Sequence, residues 1–173
     1  MTLTASFSFT ASGSQTKDDL LAVVTDSFSS GNATFPSMSA SFTLGSNAGQ
    51  ASKWYRGQRT LAGNATDLVS LTGTLTDSFG STISFTKIKS LLVAIIDPDG
   101  TKKIKVGPQN ETDAWQGFFG GVGAESYVET SNWLHFVDHL GTGWTVSQGT
   151  ADVLPISNSG ANSLQYILWI LGN

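Results

Sequence analysis

Ile88-Lys89-Ser90-Leu91-Leu92-Val93-Ala94-Ile95-Ile96 is the stretch on which the fold turns. Its apolar run, Leu91 to Ile96, is far short of the roughly 20 residues that a membrane helix needs. It reads as a strand covered on both faces. Asp97-Pro98-Asp99-Gly100 follows. Proline presets φ at the second turn position, and Asp and Gly favour the first and fourth. The spacing predicts a hairpin whose return strand is Thr101 to Val106, with Lys103 and Lys105 pointing away from Ile104 and Val106.

Working outward, period-two alternation dominates the chain. Leu3, Ala5, Phe7 and Phe9 alternate with Thr4, Ser6, Ser8 and Thr10, the pattern of a half-buried strand. Ser37 to Leu44 repeats it with Met38, Ala40, Phe42 and Leu44 on one side. Lys53 to Leu61 is a third strand, expected to break or bulge at Gly57, and Leu68 to Leu75 alternates more weakly. Ile83 to Thr86 leads into the opening stretch. Beyond it lie Ser126 to Thr130, Trp133 to Asp138, Trp144 to Gln148, Ala151 to Ile156 and Ser163 to Leu171, the last behind a turn-rich link at Asn158 to Asn162.

About nine or ten strands at this spacing predict an all-β protein, an antiparallel β-sandwich or jelly-roll-like fold. At most one short helix is expected, near the N-terminus. Thr16-Lys17-Asp18-Asp19 before Leu20-Leu21-Ala22-Val23-Val24 resembles a capping box, and an edge strand is the competing reading. Residues 25 to 36 read as a loop or linker. The expected division is an N-terminal strand, arm and linker over 1–36 and a sandwich domain over 37–173.

Composition narrows the function classes. The 173 residues are 39% hydrophobic and only 13% charged, with 9 Lys+Arg, 13 Asp+Glu and a net charge of -4. A domain of this length can bury about 70% of its unfolded surface without disulfides or metals. Ser and Thr make up about a quarter of the chain, so the polar surface is mostly hydroxyl and amide. Nucleic acid repels such a chain unless basic residues cluster. No cysteine is present, which excludes thiol catalysis, Cys-ligated zinc and a disulfide scaffold. The first residues carry no signal-peptide pattern, so a soluble protein made without Sec export is expected, with no membrane partner.

The chemical constellations each have a plain reading. His135 and His139 stand four apart beside Asp138, but the flanking Trp133, Phe136 and Val137 favour a strand over a metal-binding helix. Asp97, Asp99 and Gly100 echo a calcium loop without its later acidic ligands. Glu125, Tyr127 and Glu129 share one face of a strand. Successive members of that row are about 6.5–7 Å apart, so Glu125 and Glu129 are about twice that, too wide for the carboxylate pair of glycoside hydrolysis.

Gly117-Phe118-Phe119-Gly120-Gly121-Val122-Gly123 fails the dinucleotide pattern and reads as a tight loop with two Phe anchors. No Gly-x-Ser-x-Gly elbow occurs. Lys87, Lys89, Lys102, Lys103 and Lys105 form a small basic patch around the expected hairpin. Of Trp54, Trp115, Trp133, Trp144 and Trp169, three or more belong in the core. Trp115 is the best candidate for an exposed ring that stacks on a sugar or fills a partner's pocket. No catalytic, metal or cofactor site is expected, and the chain is read as a non-enzyme. The candidate partner contacts are Phe7, Phe9, Trp115, Phe118, Phe119 and Trp133.

Three ordered stretches carry a resemblance. They are Gln58-Arg59-Thr60-Leu61-Ala62 with Leu68-Val69-Ser70-Leu71; Leu75-Thr76-Asp77-Ser78-Phe79-Gly80 with Ile83 to Lys89; and Gly143 to Leu154 with Ile156-Ser157-Asn158-Ser159-Gly160. Together the region from about residue 40 to 173 resembles a family of small bacteriophage and prophage virion structural proteins. The chain departs from that pattern at Thr130-Ser131-Asn132, where a Pro-Gly-Gly turn is commoner, and at the more aromatic and polar Trp133 to His139.

The resemblance implies a head or tail component without enzymatic activity. The leading expectation is a capsid decoration (cement) protein on the outer surface of the virion. It would be made in the host cytoplasm, contact the major capsid (coat) protein and form a homo-oligomer, a trimer, with the N-terminal arm laid on a neighbour. Rival expectations are a tail adaptor or baseplate component and a carbohydrate-binding host-attachment module. A hydrolase built on Glu125, Glu129 or the histidines ranks last.

Overall fold

The structure is a computed structural model. It describes residues 3–9, 12–19, 22–29, 38–97, 102–109, 111–121, 123–130 and 132–173. In chain order the strands are β1 (Thr4–Phe9), β2 (Ser12–Asp19), β3 (Ala22–Ser29), β4 (Met38–Leu44), β5 (Gln50–Ala51), β6 (Lys53–Leu61), β7 (Thr66–Ser70) and β8 (Thr72–Thr76). They continue as β9 (Thr82–Ser84), β10 (Lys87–Ile95), β11 (Lys103–Val106), β12 (Ser126–Glu129), β13 (Trp133–Val137), β14 (Trp144–Thr145), β15 (Val153–Asn158) and β16 (Leu164–Gly172). The fold is all-β, as the alternation predicts. The strands outnumber the expected nine or ten partly because one run can serve two sheets. Leu68 to Leu75 divides into β7, which pairs with β15, and β8, which pairs with β9.

Two antiparallel sheets make a sandwich. One has the order β13-β10-β16-β6, with β14 also on β10, and the other has the order β12-β11-β15-β7. Their inner faces share one core. Leu91, Val93, Leu168 and Ile170 come from the first sheet, and Val69, Ile104, Val106 and Ile156 from the second. Burying each such side chain stabilises the fold by about 1.5–3 kcal/mol. β10 and β16, both rich in apolar residues, lie side by side in the centre of their sheet. Its inner face is buried, whereas Leu92 and Ala94 on the outer face are only partly covered and Ile96 is exposed, so the cover expected on both faces of the opening stretch is incomplete.

The expected hairpin across Asp97-Pro98-Asp99-Gly100 does not form. β10 pairs with β13, β14 and β16, whereas β11 pairs with β12 and β15 in the other sheet. The chain therefore crosses from one layer to the other between them. Residues 98–101 lie outside the described residues. Lys103 and Lys105 do point away from the buried Ile104 and Val106.

Gly57 is no break either, since β6 pairs with β16 in unbroken register from Lys53 opposite Gly172 to Leu61 opposite Leu164. Glycine is required there by a neighbour, because a Cβ would lie 2.2 Å from the Tyr55 hydroxyl, which crosses over it.

At the N-terminus the expected short helix is replaced by strands. β2 and β3 pair antiparallel, from Ser12 opposite Ser29 to Asp19 opposite Ala22. The β-branched Thr16, Val23, Val24 and Thr25 favour extended backbone, and that outweighs the capping-box resemblance. The linker expected over 25–36 is strand as far as Ser29, and residues 30–36 lie outside the described residues. β1 and β4 form one ladder, from Thr4 opposite Thr43 to Phe9 opposite Met38, and the two-residue β5 adds in parallel beside β4. Leu3, Ala5, Ala40, Phe42 and Ala51 of this third layer pack on Leu171 of β16.

Candidate interaction surface

The third layer covers only part of the outer face of the β13-β10-β16-β6 sheet. Register defines three rows across that face. Val137, Ser90, Leu171 and Trp54 form one, and His135, Leu92, Trp169 and Arg56 form the next. Trp133, Ala94, Ile167 and Gln58 form the third. Leu171 and Val137 of the first row lie under the third layer. Phe7 of β1 reaches the second row, with ring centroids 4.7 Å from His135 and 4.5 Å from Trp169.

Beyond Phe7 no described residue of the third layer covers the face. Trp133 is 63% exposed and Trp54 40%. A depression of about 260 Å³ is lined by Trp54, Arg56, Leu92, Ile167 and Trp169. Trp54 and Trp169 meet edge to face at 5.9 Å. The Trp169 Nε1 is buried without an acceptor among the described residues. Trp54, Trp169 and Trp133, one from each row, are the rings of this face, with Arg56 and Gln58 beside them.

The predicted contact residues separate into three groups. Trp133 is exposed. Phe7 is half-buried between the layers, and the side chain of Phe9 lies outside what the structure describes. Trp115 corrects the expectation, because it is fully buried and its Nε1 donates to the Thr145 carbonyl at 2.9 Å. The glycine-rich loop folds back onto it. Gly117 adopts φ +42°, and a Cβ there would lie 2.4 Å from the Trp115 ring. Only glycine accepts that backbone without strain.

Phe118 and Phe119 are likewise turned inward. Phe118 meets Trp115 at 5.7 Å, Phe119 at 4.2 Å and Phe136 at 3.5 Å, so these half-buried rings take part in internal packing. Of the five tryptophans, Trp115 is fully buried, Trp144 is partly buried against the same core, and Trp169 lies under Phe7.

Several titratable groups are committed to structure. Arg59 Nε and Nη2 donate to the Asp67 carboxylate at 2.6 and 3.1 Å, and Nη1 donates to the Tyr55 hydroxyl at 3.2 Å. Tyr166, opposite Arg59 in the ladder, donates to the same carboxylate at 2.6 Å. Burial opposes the Arg59 cation, but the Asp67 and Tyr55 hydrogen bonds and the Asp67 charge outweigh it and raise its pKa. Burial, then the bond to Asp67, raises that of Tyr166. The sequence reading missed this network. Its signal was a charge on the inward parity of a strand: Arg59 shares a parity with Tyr55 and Leu61, and Asp67 with Val69.

The expected lysine patch is dispersed. Lys89 is buried, donating to the Gly141 carbonyl at 2.7 Å, and burial lowers its pKa against the opposing charge of Asp138. Lys102 pairs with Asp97 at 2.8 Å and Lys105 with Glu125 at 3.1 Å. The Tyr127 hydroxyl donates to Glu125 at 2.8 Å, so Glu125 and Tyr127 are joined by a hydrogen bond. That bond, then the one from Lys105, lowers the Glu125 pKa. His135 Nε2 lies 3.0 Å from the Ser90 hydroxyl and His139 Nε2 lies 2.8 Å from the Ser41 carbonyl, so the two imidazoles serve different contacts. Comparison with protein-family models and with curated proteins returns no match for this chain.

Proposed function

We propose that this chain is a virion structural protein, a capsid decoration protein that bridges and stabilises coat subunits on the outer shell as a symmetric trimer. The observation that carries the reading is how its polar groups are used. Arg59, Asp67, Tyr166 and Lys89 are engaged in fastening layers and loops. Large apolar side chains such as Trp133, Phe79 and Leu140 are left on the surface at 63, 83 and 82% exposure. Rigid sheets with apolar anchors on a hydroxyl-rich exterior suit adhesion to neighbouring subunits. The stretches that resemble the phage family lie in this framework: Arg59 is in β6, Val69 in β7, and Trp144 to Leu154 runs from β14 into β15.

Each protomer needs a patch of about 1,200–2,000 Å² against the coat for a specific contact. Joining three protomers brings later contacts to effective concentrations in the mM range. An acidic subunit also avoids the packaged genome. Quantitative mass spectrometry of purified particles tests the reading. Copy numbers comparable with the coat protein support a decoration role. A copy number set by a single sixfold or twelvefold ring would move the chain to the tail or baseplate, and absence from particles would overturn the virion assignment. The glycan-binding alternative loses Trp115, its chosen residue, to the core.

A further inference from the structure

The edges of the two sandwich sheets differ in length. β13, β12 and β7 are edge strands of five, four and five residues, whereas β6 has nine and pairs only with β16 among the described strands. Its ladder with β16 has no register shift, and it contains no proline. The other edge of β6 therefore presents about 30 Å of extended backbone that no described strand pairs. Short length, proline and bulges are common protections of a sheet edge, and β6 has none of them. Its remaining safeguard is charge. Lys53, Arg56 and Arg59 lie along it, and they oppose any strand whose cations fall directly opposite theirs.

An open run of backbone N–H and C=O groups is complementary to one kind of structure, a second strand. The order of the three cations selects which strand and which register. Two β6 strands paired antiparallel about a two-fold axis at Gly57 overlap over all nine residues. Lys53, Arg56 and Arg59 then face Leu61, Gln58 and Tyr55 of the partner subunit, and no cation meets a cation. An axis at Arg56 sets that residue against itself and Lys53 against Arg59. An axis at Gln58 leaves Lys53 and Trp54 beyond the end of the partner strand.

We infer that β6 pairs with β6 of a second copy in the Gly57-centred register, joining two five-stranded sheets into one continuous sheet. The contact is isologous: the same nine residues serve both copies, and the pair closes as a two-fold dimer. This goes beyond the proposed function, whose threefold contact uses a different part of the chain. The two symmetries together make six copies.

The experiment uses the purified full chain without virions. Sedimentation and light scattering are expected to give a dimer, or six copies where the threefold contact also forms. Gln58 is exposed, and it tests the register with opposite signs. Each dimer contains the Arg56–Gln58 pair twice. Gln58→Glu sets an opposite charge against Arg56 and is expected to tighten association about threefold or more. Gln58→Arg sets a like charge there and is expected to weaken association by a similar factor, and both variants should keep the β-sheet circular dichroism of the parent.

The absence of cysteine makes cross-linking clean. Trp54 and Thr60 are both exposed, and the register sets them opposite each other at a separation that a disulfide can span. A chain with Trp54→Cys mixed with a chain carrying Thr60→Cys is expected to form the mixed disulfide in preference to either homodimer. A monomeric full chain, association indifferent to both Gln58 changes, or homodimer disulfides as abundant as the mixed one would each overturn the inference. Particle counts decide the virion reading separately, so either reading can fail without the other.

Discussion

Arg59 of β6 and Asp67 of β7 form a two-pronged ion pair, at 2.6 and 3.1 Å, between strands that belong to opposite sheets of the sandwich. A fork-to-carboxylate pair fixes angle as well as distance. Tyr166 donates to the same carboxylate from β16, next to β6, and so ties a second strand of the first sheet to β7. Apolar contacts between the sheets are non-directional, and this pair supplies the direction.

Asp67→Asn leaves the Arg59 cation without its counter-charge and removes an acceptor for Tyr166. Breaking a buried pair by removing one partner costs about 3–5 kcal/mol. Here the side chains keep 30 and 20% exposure, so water recovers part of that. The expected loss is about 2–3 kcal/mol, read from urea unfolding midpoints at constant m-value. Arg59→Lys, which keeps the charge and loses the fork, should cost less. A loss below 0.5 kcal/mol, the range of an ordinary surface change, would mean that the pair fastens nothing.

Gly57→Ala places a methyl group against the hydroxyl and ring of Tyr55, 2.2 and 2.7 Å from their nearest atoms. The Tyr55 side chain must move and release its bond from Arg59. Overpacking of this kind costs about 1–3 kcal/mol. In a Tyr55→Ala background the three atoms nearest to the new methyl are gone, so the cost should fall. A double-mutant cycle by thermal unfolding measures the difference, and strictly additive effects would refute the crossing of Tyr55 over Gly57 as the reason for glycine.

Period-two alternation made the strands legible, but it does not name their partners. Asp97 to Gly100 has sound turn chemistry, and a turn says only that the chain changes direction. β10 lies between β13 and β16 in one sheet, and the half-exposed β11 completes the other. The interaction surface was half legible. Trp133 shows as a ring at the start of a strand, and Trp115 misleads because a tryptophan beside a glycine-rich loop resembles an exposed anchor. In the fold those glycines let the loop close over the ring. The outer-face rows could not be read from sequence, since they join β13, β10, β16 and β6 across more than a hundred residues.

Trp115 and Trp133 should therefore behave as opposites. Trp115→Ala removes a fully buried ring against which Phe118 and Phe119 pack, and it leaves the Thr145 carbonyl without its donor. A loss of about 3–5 kcal/mol is expected from chemical denaturation. Trp133→Ala truncates a ring that is mostly in water, and should change monomer stability by no more than about 0.5 kcal/mol. Equal effects at the two positions would contradict the burial pattern.

The His135 ring lies between Phe7 and the Ser90 hydroxyl, and burial holds its pKa below the ordinary value of 6.5. In the unfolded chain the imidazole regains that ordinary value. Between the lowered and the ordinary pKa, the unfolded state binds a proton that the folded state does not. Stability then rises with pH across that window. The contribution is fully present above pH 6.5 and is lost as pH falls through the folded pKa. His135→Phe carries no proton in either state and preserves a ring beside Phe7. Thermal midpoints recorded from pH 5 to 8 should therefore diverge on the acid side, with the parent falling faster than the variant, and should keep a constant offset above pH 7. The comparison uses slopes, so any packing gained or lost through the new ring cancels. Two profiles that stay parallel down to pH 5 would show that the imidazole is as well solvated in the fold as in the unfolded chain, and that Phe7 and the third layer do not shield it.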